Sequence, residues 1–211
     1  MPDYLRPAIS RELAPVLKQA GFTRCRPAHF LRADGDILHS ITLLRSRYGS
    51  GDLMLAYRFG LLCDPLLDTG NQPAGLGDII QHHDWRTATA TDARQSLAAI
   101  CDYCTTHVLP WLAAHDSVTA YLAAQRDPRQ RDDAADLACN IARLLDGGDP
   151  VAVRDDCARL AAPANYWQPE AHEHAIMRHA RALAAAINAA DWQPLLAQWA
   201  AANRTRCKLP A

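Results

Sequence analysis

Along the first half of the chain, the spacing of the apolar residues changes from the period of a helix to the period of a strand. A first helix is predicted to end at Ala20-Gly21, because the residues before this stop recur at helical spacing: Ile9, Leu13, Val16 and Leu17. Alternating positions predict strands over residues 37–48 and 53–62. Asp34-Gly35 and residues 48–52 are typical of hairpin turns. The pattern therefore predicts a helix followed by an antiparallel β-meander.

The turns between these strands are too short to hold a parallel crossover. Neighbouring strands should therefore be antiparallel and should follow each other in chain order. Side chains two positions apart share a face of the sheet. One face is expected to be covered by helices, with contributions from Ile41, Leu43, Tyr57 and Phe59.

Glycine and proline punctuate residues 63–91, which predicts a loop-rich stretch that carries Asp84-Trp85. A long helix is predicted to begin near Asp92, and Pro110 should kink or restart it. Its buried stripe is predicted to consist of Leu97, Ile100, Cys101, Cys104 and Val108.

The charged residues 126–133 mark the clearest boundary in the chain. Everything beyond it has a helical pattern, at about 134–146, 150–161, 170–190 and 192–203. We therefore predict an α+β fold, in which a domain spanning residues 1–126 contains an N-terminal helix, an antiparallel meander and a long helix. The all-helical region 127–211 should pack on this domain or form a small subdomain.

The composition of the chain indicates the cellular compartment of the protein and says less about its chemistry. The formal net charge is −1, so no overall field attracts nucleic acid. No stretch of 18 apolar residues predicts a membrane helix, and the first ten residues lack the pattern of a signal peptide. Seven cysteines without regular spacing suit reduced thiols. Together with the bias towards arginine, aspartate and alanine, this indicates a cytoplasmic protein from a high-GC bacterium.

Several short motifs resemble a bacterial family. They are Gly21-Phe22 at the end of a helix, Phe30-Leu31-Arg32, Ser46-Arg47-Tyr48-Gly49 at the end of a strand, Asp84-Trp85, and Leu109-Pro110-Trp111. Over residues 8–124 the chain resembles the family catalogued as domain of unknown function 4304. This resemblance implies an α+β fold and supplies no catalytic residue. Small bacterial proteins of this style sometimes accompany toxins as immunity proteins, and the helices after residue 126 depart from the family pattern.

The candidate redox and metal motifs are better explained by packing. Cys101 and Cys104 form a C-x-x-C inside a helix, on its apolar stripe, where neither a redox pair nor a zinc site is expected. On a second helix, the histidines at 172, 174 and 179 do not converge on one ion. We therefore assign no catalytic residue, no metal ligand and no cofactor.

A partner-binding surface is the main functional prediction. Guanidinium groups bind carboxylates and phosphates, and arginine and tryptophan are enriched in binding hot spots. The basic first third of the chain and the Trp85 segment supply such residues, and the predicted surface is Arg24, Arg32, Arg45, Arg47, Arg58, His82, His83 and Trp85. In the alternative interpretation the arginines are solvated and Trp85 closes the edge of the sheet.

Three classes of function remain open, and the sequence leaves the oligomeric state undetermined. The first is a non-enzymatic, protein-binding protein, in its most specific form an immunity protein that neutralises a bacterial toxin. The second is an enzyme whose site assembles from scattered residues such as His82, His83, Asp84 and Arg58; a deep pocket with His82 or His83 beside Arg58 would favour it. The third is a helical scaffold that binds a partner helix or peptide through residues 127–203.

Overall fold

A computed structural model describes residues 4–45, 52–67, 76–125, 131–162 and 170–210. For residues 82–84 it describes the backbone alone.

The strands form one five-stranded sheet with the order β1-β2-β3-β4-β5, and every pair of neighbours is antiparallel. The bounds are Thr23–Arg26 for β1, His29–Asp34 for β2, Ile37–Arg45 for β3, Asp52–Leu61 for β4 and Leu76–Arg86 for β5. The predicted antiparallel meander in chain order is therefore confirmed. The turn that follows Asp34 joins β2 to β3, where Asp34 pairs with Ile37.

The fifth strand corrects the sequence prediction, which placed a loop-rich stretch over residues 63–91. Strand β5 has no clean alternation, since Ile79-Ile80 and His82-His83 put like residues on both faces. It is an edge strand, and its pairing with β4 shifts register between Asp52 and Met54. Residues 76–86 therefore form a strand because they pair with the open edge of β4. Their own sequence pattern does not predict this pairing.

The N-terminal helical segment consists of α1 (Leu5–Ala8), a π-helical turn (Ile9–Leu13) and α2 (Ala14–Gln19). It ends where predicted. Gly21 has φ +84°, Gly21 N–H donates to the Lys18 carbonyl at 3.0 Å, and Phe22 N–H donates to the Leu17 carbonyl at 2.9 Å. This is the Schellman arrangement, which needs a left-handed residue that glycine adopts without strain.

The helix after β5 consists of α3 (Ala90–Tyr103), a π-helical turn (Cys104–Val108) and α4 (Leu109–Ala113). Thr89 and Asp92 form a reciprocal capping box at its start. Pro110 lies in the first turn of α4, as expected of a proline that restarts a helix. Helix α3 packs on β5 and on the first π-helical turn.

The remaining helices are α5 (Val118–Ala123), α6 (Asp133–Leu145), α7 (Pro150–Leu160), α8 (Ala171–Asn188) and α9 (Trp192–Cys207). Helices α6, α7 and α8 pack in sequence, and α8 contacts α9. Asp149 caps α7 by accepting a hydrogen bond from Val151 N–H at 2.9 Å. The predicted all-helical character of this region is confirmed in its described residues.

Both faces of the sheet carry buried apolar side chains. One face packs against the N-terminal helices and α3, and its large cluster continues into α6, α7 and α8. A smaller cluster lies on the other face, where Leu31, Leu38 and Leu62 pack with Cys207 and the neighbouring part of α9. The division at residue 126 stays a prediction, since residues 126–130 lie outside the described part of the chain.

Arg32 connects its own strand, β2, to the end of α2 and to β3. Its Nη1 donates to the Ala20 carbonyl at 3.1 Å, and its guanidinium lies 5.1 Å from the centre of the Phe22 ring. Its Nη2 donates to Nδ1 of His39 at 3.0 Å. Since Nδ1 accepts, Nε2 of this neutral histidine carries the proton and donates to the His115 carbonyl at 2.9 Å. Burial lowers the pKa of His39, which favours the same neutral form.

The two cysteines of the C-x-x-C differ in burial, which corrects the prediction that both are buried. Cys104 is fully buried in the large cluster, whereas Cys101 is half-buried at its margin. A step of three residues rotates by about 300° around a helix, so the two sulfurs point about 60° apart. Both are free thiols, and burial raises the pKa of each, to about 12 for Cys104 and about 11 for Cys101.

Replacing Cys104 by alanine should lower the free energy of unfolding by about 1–2 kcal/mol, because it leaves a cavity in the core. Cys101→Ala is the matched control, one helical turn away and half-buried, and it should cost less. Urea unfolding of both variants measures the difference. A larger loss for Cys101→Ala would contradict the packing described above.

Arg32→Lys should lower the free energy of unfolding by about 2 kcal/mol, although it keeps the charge. An ammonium group cannot reach the Ala20 carbonyl and His39 at once in the planar geometry of a guanidinium. Arg11→Lys, at an exposed position of the N-terminal helical segment, is the control and should change little. Equal midpoints for the two variants in thermal unfolding would show that the contacts of Arg32 contribute nothing.

Candidate binding cleft

A cleft of about 760 Å³ lies between one end of the sheet and the start of the C-terminal helices. Its volume is within the usual range for ligand sites. Five parts of the chain line it: the end of β4 with the loop after it, the start of β5, α4, α5 with the residues after it, and the first two turns of α6. Its polar lining includes Arg58, Asp64, Asp78, Gln125, Arg131 and Asp132.

The sheet side of the cleft depends on close contact between β4 and β5. Gly77 pairs with Arg58, and a Cβ at this glycine would overlap the Tyr57 carbonyl oxygen and lie 2.7 Å from Cα of Arg58. No other residue fits there without separating the strands. Glycine therefore keeps Tyr57 and Arg58 at the rim of the cleft.

A cluster of aromatic rings forms part of the apolar lining, which also includes Leu66 and Leu76. Trp111 contacts Tyr57 and Phe59 edge to face, with ring centres 5.1 and 5.4 Å apart, and its ring is stacked on His115 at 4.1 Å. Tyr121 contacts Phe59 from the other side at 5.9 Å. Tyr57 and Trp111 are half-buried, so these two rings offer surface to a ligand.

Asp64 lies in the loop after β4, and α9 holds this loop in place. Nδ2 of the buried Asn203 donates to the carbonyls of Leu62 and Asp64, at 2.7 and 2.8 Å. One carboxylate oxygen of Asp64 accepts a hydrogen bond from Leu66 N–H at 2.9 Å. Burial nevertheless raises the pKa of Asp64 to about 6, and Arg206 opposes this effect. A carboxyl group that titrates near neutral pH inside a cleft is a typical feature of functional sites.

The Tyr121 hydroxyl lies near Asp64, and the side chains of Gln125 and Arg131 lie near this hydroxyl. Burial raises the pKa of Tyr121, and the Asp64 carboxylate acts in the same direction. Its hydroxyl is hydrogen-bonded to the side chain of Gln125. Arg131, at the start of α6, lies close enough to influence the same hydroxyl, and its Nε is ion-paired with Asp136 at 2.8 Å.

The predicted arginine surface is not assembled in one place. Arg24 donates to the Pro27 carbonyl and to Ser10, and Arg32 is engaged at the end of α2. Arg45 pairs with Leu53 and Arg58 pairs with Ser40, so their positions on β3 and β4 put them on opposite faces. Arg58 lines the cleft. Arg47 lies outside the described residues.

The three other predicted site residues lie in β5, opposite the end of β4 that is farther from the cleft. His82 and His83 are five and six positions beyond Gly77, the partner of Arg58, which is about 17–20 Å along a strand. A histidine of this pair beside Arg58 would have favoured an enzyme. This arrangement is not found among the described residues of the cleft. Trp85 is 4% exposed and packs edge-on against Tyr103 at 6.2 Å, which matches the alternative in which it closes the edge of the sheet.

Sequence analysis missed most of the residues that line the cleft. Asp64, Tyr121, Gln125 and Arg131 come from separate elements and share no spacing that a motif search could find. Trp111 lies in a segment that carried the family resemblance, and Arg58 of the predicted surface also lines the cleft.

No three histidine, cysteine, aspartate or glutamate side chains of the described ranges are grouped as metal ligands. Of the helices in the same ranges, none is long and apolar enough to cross a membrane.

These features define an α+β protein in which C-terminal helices complete a ligand-sized cleft at one end of an antiparallel sheet. Residues 13–114 match the family model described as domain of unknown function (DUF4304), which confirms the resemblance to that family. The match ends with α4, so the family segment supplies the sheet side of the cleft, and the helices beyond it supply the other side. No curated protein and no solved structure matches the chain.

Asp64→Asn should stabilise the protein at neutral pH, by up to about 3 kcal/mol. The unfolded carboxyl ionises near 3.8 and the folded one near 6, so the wild type loses stability as pH rises through this window. Asparagine keeps an acceptor for Leu66 N–H and does not ionise. Urea unfolding of both proteins between pH 4 and pH 8 tests this expectation, and a stability difference that stays constant over the range would contradict the raised pKa.

Proposed function

We propose that the protein is a non-enzymatic binding protein that holds a segment of a partner protein in the cleft. The observation that carries this proposal is the lining of the cleft, where half-buried aromatic rings lie beside arginine, aspartate and amide side chains. Tryptophan, tyrosine and arginine are the residue types that contribute most to protein interfaces. A concave site of this size suits an inserted side chain or chain end better than a flat contact.

The setting that we propose is the bacterial cytoplasm. The seven cysteines are free thiols, which suits a reducing compartment, and the bias towards arginine and aspartate suits a high-GC bacterial genome. In its most specific form the proposal is an immunity protein whose partner is a toxin. This form is supported only by the style of small bacterial proteins that the family segment resembles.

An enzyme is the second candidate, and one observation favours it. The pKa of Asp64 is raised to about 6, which suits a general acid or base, and Tyr121 lies beside this carboxyl group. Asp64→Asn separates the two candidates, since it should abolish the turnover of a substrate but leave the affinity for a protein partner within about threefold.

Ala135→Arg should block the cleft and reduce partner binding at least tenfold, roughly 1.4 kcal/mol or more. Ala135 is half-buried, lines the cleft in the first turn of α6, and tolerates a good helix former. Ala185→Arg makes the same change at an exposed position of α8 and is the control. A partner is first captured with the full-length chain from the native host and identified by mass spectrometry, and its affinity for each variant is then measured.

Two results would contradict the proposal. Equal affinity of the partner for the Ala135→Arg and Ala185→Arg variants would exclude the cleft as its binding site. If Arg45→Ala weakens binding by at least about 1 kcal/mol while Ala135→Arg does not, the partner binds near Arg45 and outside the cleft.

A further inference from the structure

Strand β5 is an open edge of the sheet. It comes last in the strand order, and no other strand of the described residues pairs with its outer side. The opposite edge, β1, has four residues, two of them arginines, and Pro27 follows it. Short length, charge and proline are the usual protections of an edge strand. Strand β5 has eleven residues, and its segment 76–81 contains no proline and a single charged residue, Asp78. It is therefore the less protected of the two edges.

The backbone groups of β4 alternate between its two neighbours. Leu62, which directly follows β4, donates its N–H to the carbonyl of Asp36, just before β3, at 2.7 Å. The register between β3 and β4 is regular along its whole length. In an antiparallel ladder, successive residues direct their N–H and C=O groups to opposite sides. The even-numbered residues of β4 therefore bond to β3, and its odd-numbered residues bond to β5.

The same alternation shows which groups of β5 point outwards. The even-numbered residues of the segment 76–81 pair with odd-numbered residues of β4, as Asp78 does with Tyr57, so their backbone groups face β4. The backbone groups of Gly77, Ile79 and Gln81 therefore point to the open side. All three residues are exposed, and Ile79, at 39%, is one of two large apolar residues that are exposed in the described ranges.

Hydrogen bonds agree with this assignment. Ile79 N–H donates to a carboxylate oxygen of the neighbouring Asp78 at 2.7 Å, as expected of an N–H that does not face β4. Within the described part of the chain, the outward groups of Gly77 and Gln81 have no hydrogen-bond partner. Backbone groups that point outwards at every second residue are the pattern with which an additional strand pairs.

The open edge begins inside the cleft. Leu76, Gly77 and Asp78 are part of its lining. Tyr57 lies opposite Asp78, so these two side chains share a face of the sheet, and Trp111 packs against Tyr57. A strand added beside β5 would direct every second side chain to this face, towards the two rings. A segment held in the cleft therefore lies in position to pair with the edge.

We propose that the partner segment binds in extended conformation, as a sixth strand beside β5. Its backbone pairs with Gly77, Ile79 and Gln81, and alternate apolar side chains enter the cleft beside Tyr57 and Trp111. Pairing of the main chain contributes affinity, and the cleft contributes specificity. This inference rests on the proposed function, because it names the conformation in which the partner segment is held.

Amide hydrogen exchange in the free, full-length protein tests whether the edge is open. NMR should show that the amides of Asp78 and Ile80 exchange at least about a hundredfold more slowly than those of Gly77, Ile79 and Gln81, relative to unstructured peptides. The reason is that only the first two are bonded to β4. Equal protection of the two sets would mean that the edge is already covered, and the proposal would be wrong.

A second experiment supplies the missing strand. Random linear peptides of about twelve residues are displayed on phage and selected on the full-length protein, and the tightest binder is synthesised. Its binding should slow amide exchange at Gly77, Ile79 and Gln81 by at least about tenfold. Backbone pairing accepts many sequences. A library that yields no binder, or a peptide that binds without protecting these amides, would therefore overturn the proposal.

Backbone methylation of the selected peptide leaves the protein unchanged and tests the strand conformation itself. In an added strand, alternate N–H groups point towards β5 and the others point away. Methyl groups on one alternate set should weaken binding at least about tenfold, and methyl groups on the other set should change it less than about threefold. Equal loss with both sets would show that the peptide is not held as a strand.

Ile79→Pro is the matching change in the protein, because it removes an outward N–H and puts ring carbons in its place. An edge strand tolerates proline where the N–H faces solvent. This variant should bind the peptide at least about tenfold more weakly. Ile79→Val keeps the N–H and the branched side chain, and it should stay within about twofold of the wild type. Thermal unfolding establishes that each variant is folded, and the methylated peptides decide if Ile79→Pro is not. Equal affinity of two folded variants would contradict the proposal.

The outcomes separate this inference from the proposed function. If Ala135→Arg reduces binding of the captured partner while Ile79→Pro does not, the cleft holds the partner in another conformation and strand addition fails. If Ile79→Pro abolishes peptide binding while Ala135→Arg leaves partner binding unchanged, the edge accepts a strand and the protein-binding role of the cleft fails. A dimer that sedimentation detects in the wild type and that Ile79→Pro dissociates would assign the edge to a second copy of this chain, which would overturn the proposal.

Discussion

The central strand of the sheet is buried on both faces, and most of the architecture follows from this. In β3 every side chain from Ile37 to Leu43 is buried. An antiparallel sheet commonly exposes one face to solvent. If one face of this sheet were exposed, either the odd or the even positions of β3 would be in contact with water. The N-terminal helices with α3 and α4 serve one face, and α9 contributes to the other. The cleft lies at the end of the sheet that is formed by the last residues of β4 and the first residues of β5.

Parts of the fold with a strong local pattern could be predicted from the sequence. The stop of the first helix was predicted from Gly21, and the β-meander was predicted from alternating positions and short turns. Strand β5 escaped prediction because its conformation depends on pairing with β4 and not on its own residues. The π-helical turns also had no sequence signal, since they differ from an α-helix by a single hydrogen-bond step.

The functional residues were harder to predict than the fold, for two physical reasons. Basic side chains bind carbonyl groups and aromatic rings of their own chain as well as those of a partner. Arg32 therefore donates a hydrogen bond to the end of helix α2, and Arg24 donates one to the turn at Pro27. The cleft is in addition a meeting point of distant segments. Asp64 looks ordinary in the sequence, and its raised pKa arises from burial in the folded protein.

The contact between Asn203 and the Leu62 carbonyl spans 141 residues, and this has a consequence for synthesis on the ribosome. At roughly 5–20 residues per second, Leu62 leaves the ribosome about 7–30 seconds before Asn203 in α9. During that interval the side chains of Leu31, Leu38 and Leu62 lack their contact with α9. A nascent strand with exposed apolar side chains readily pairs with another chain. The half-synthesised protein is therefore the stage most prone to aggregation, and the one at which a chaperone has the most to protect.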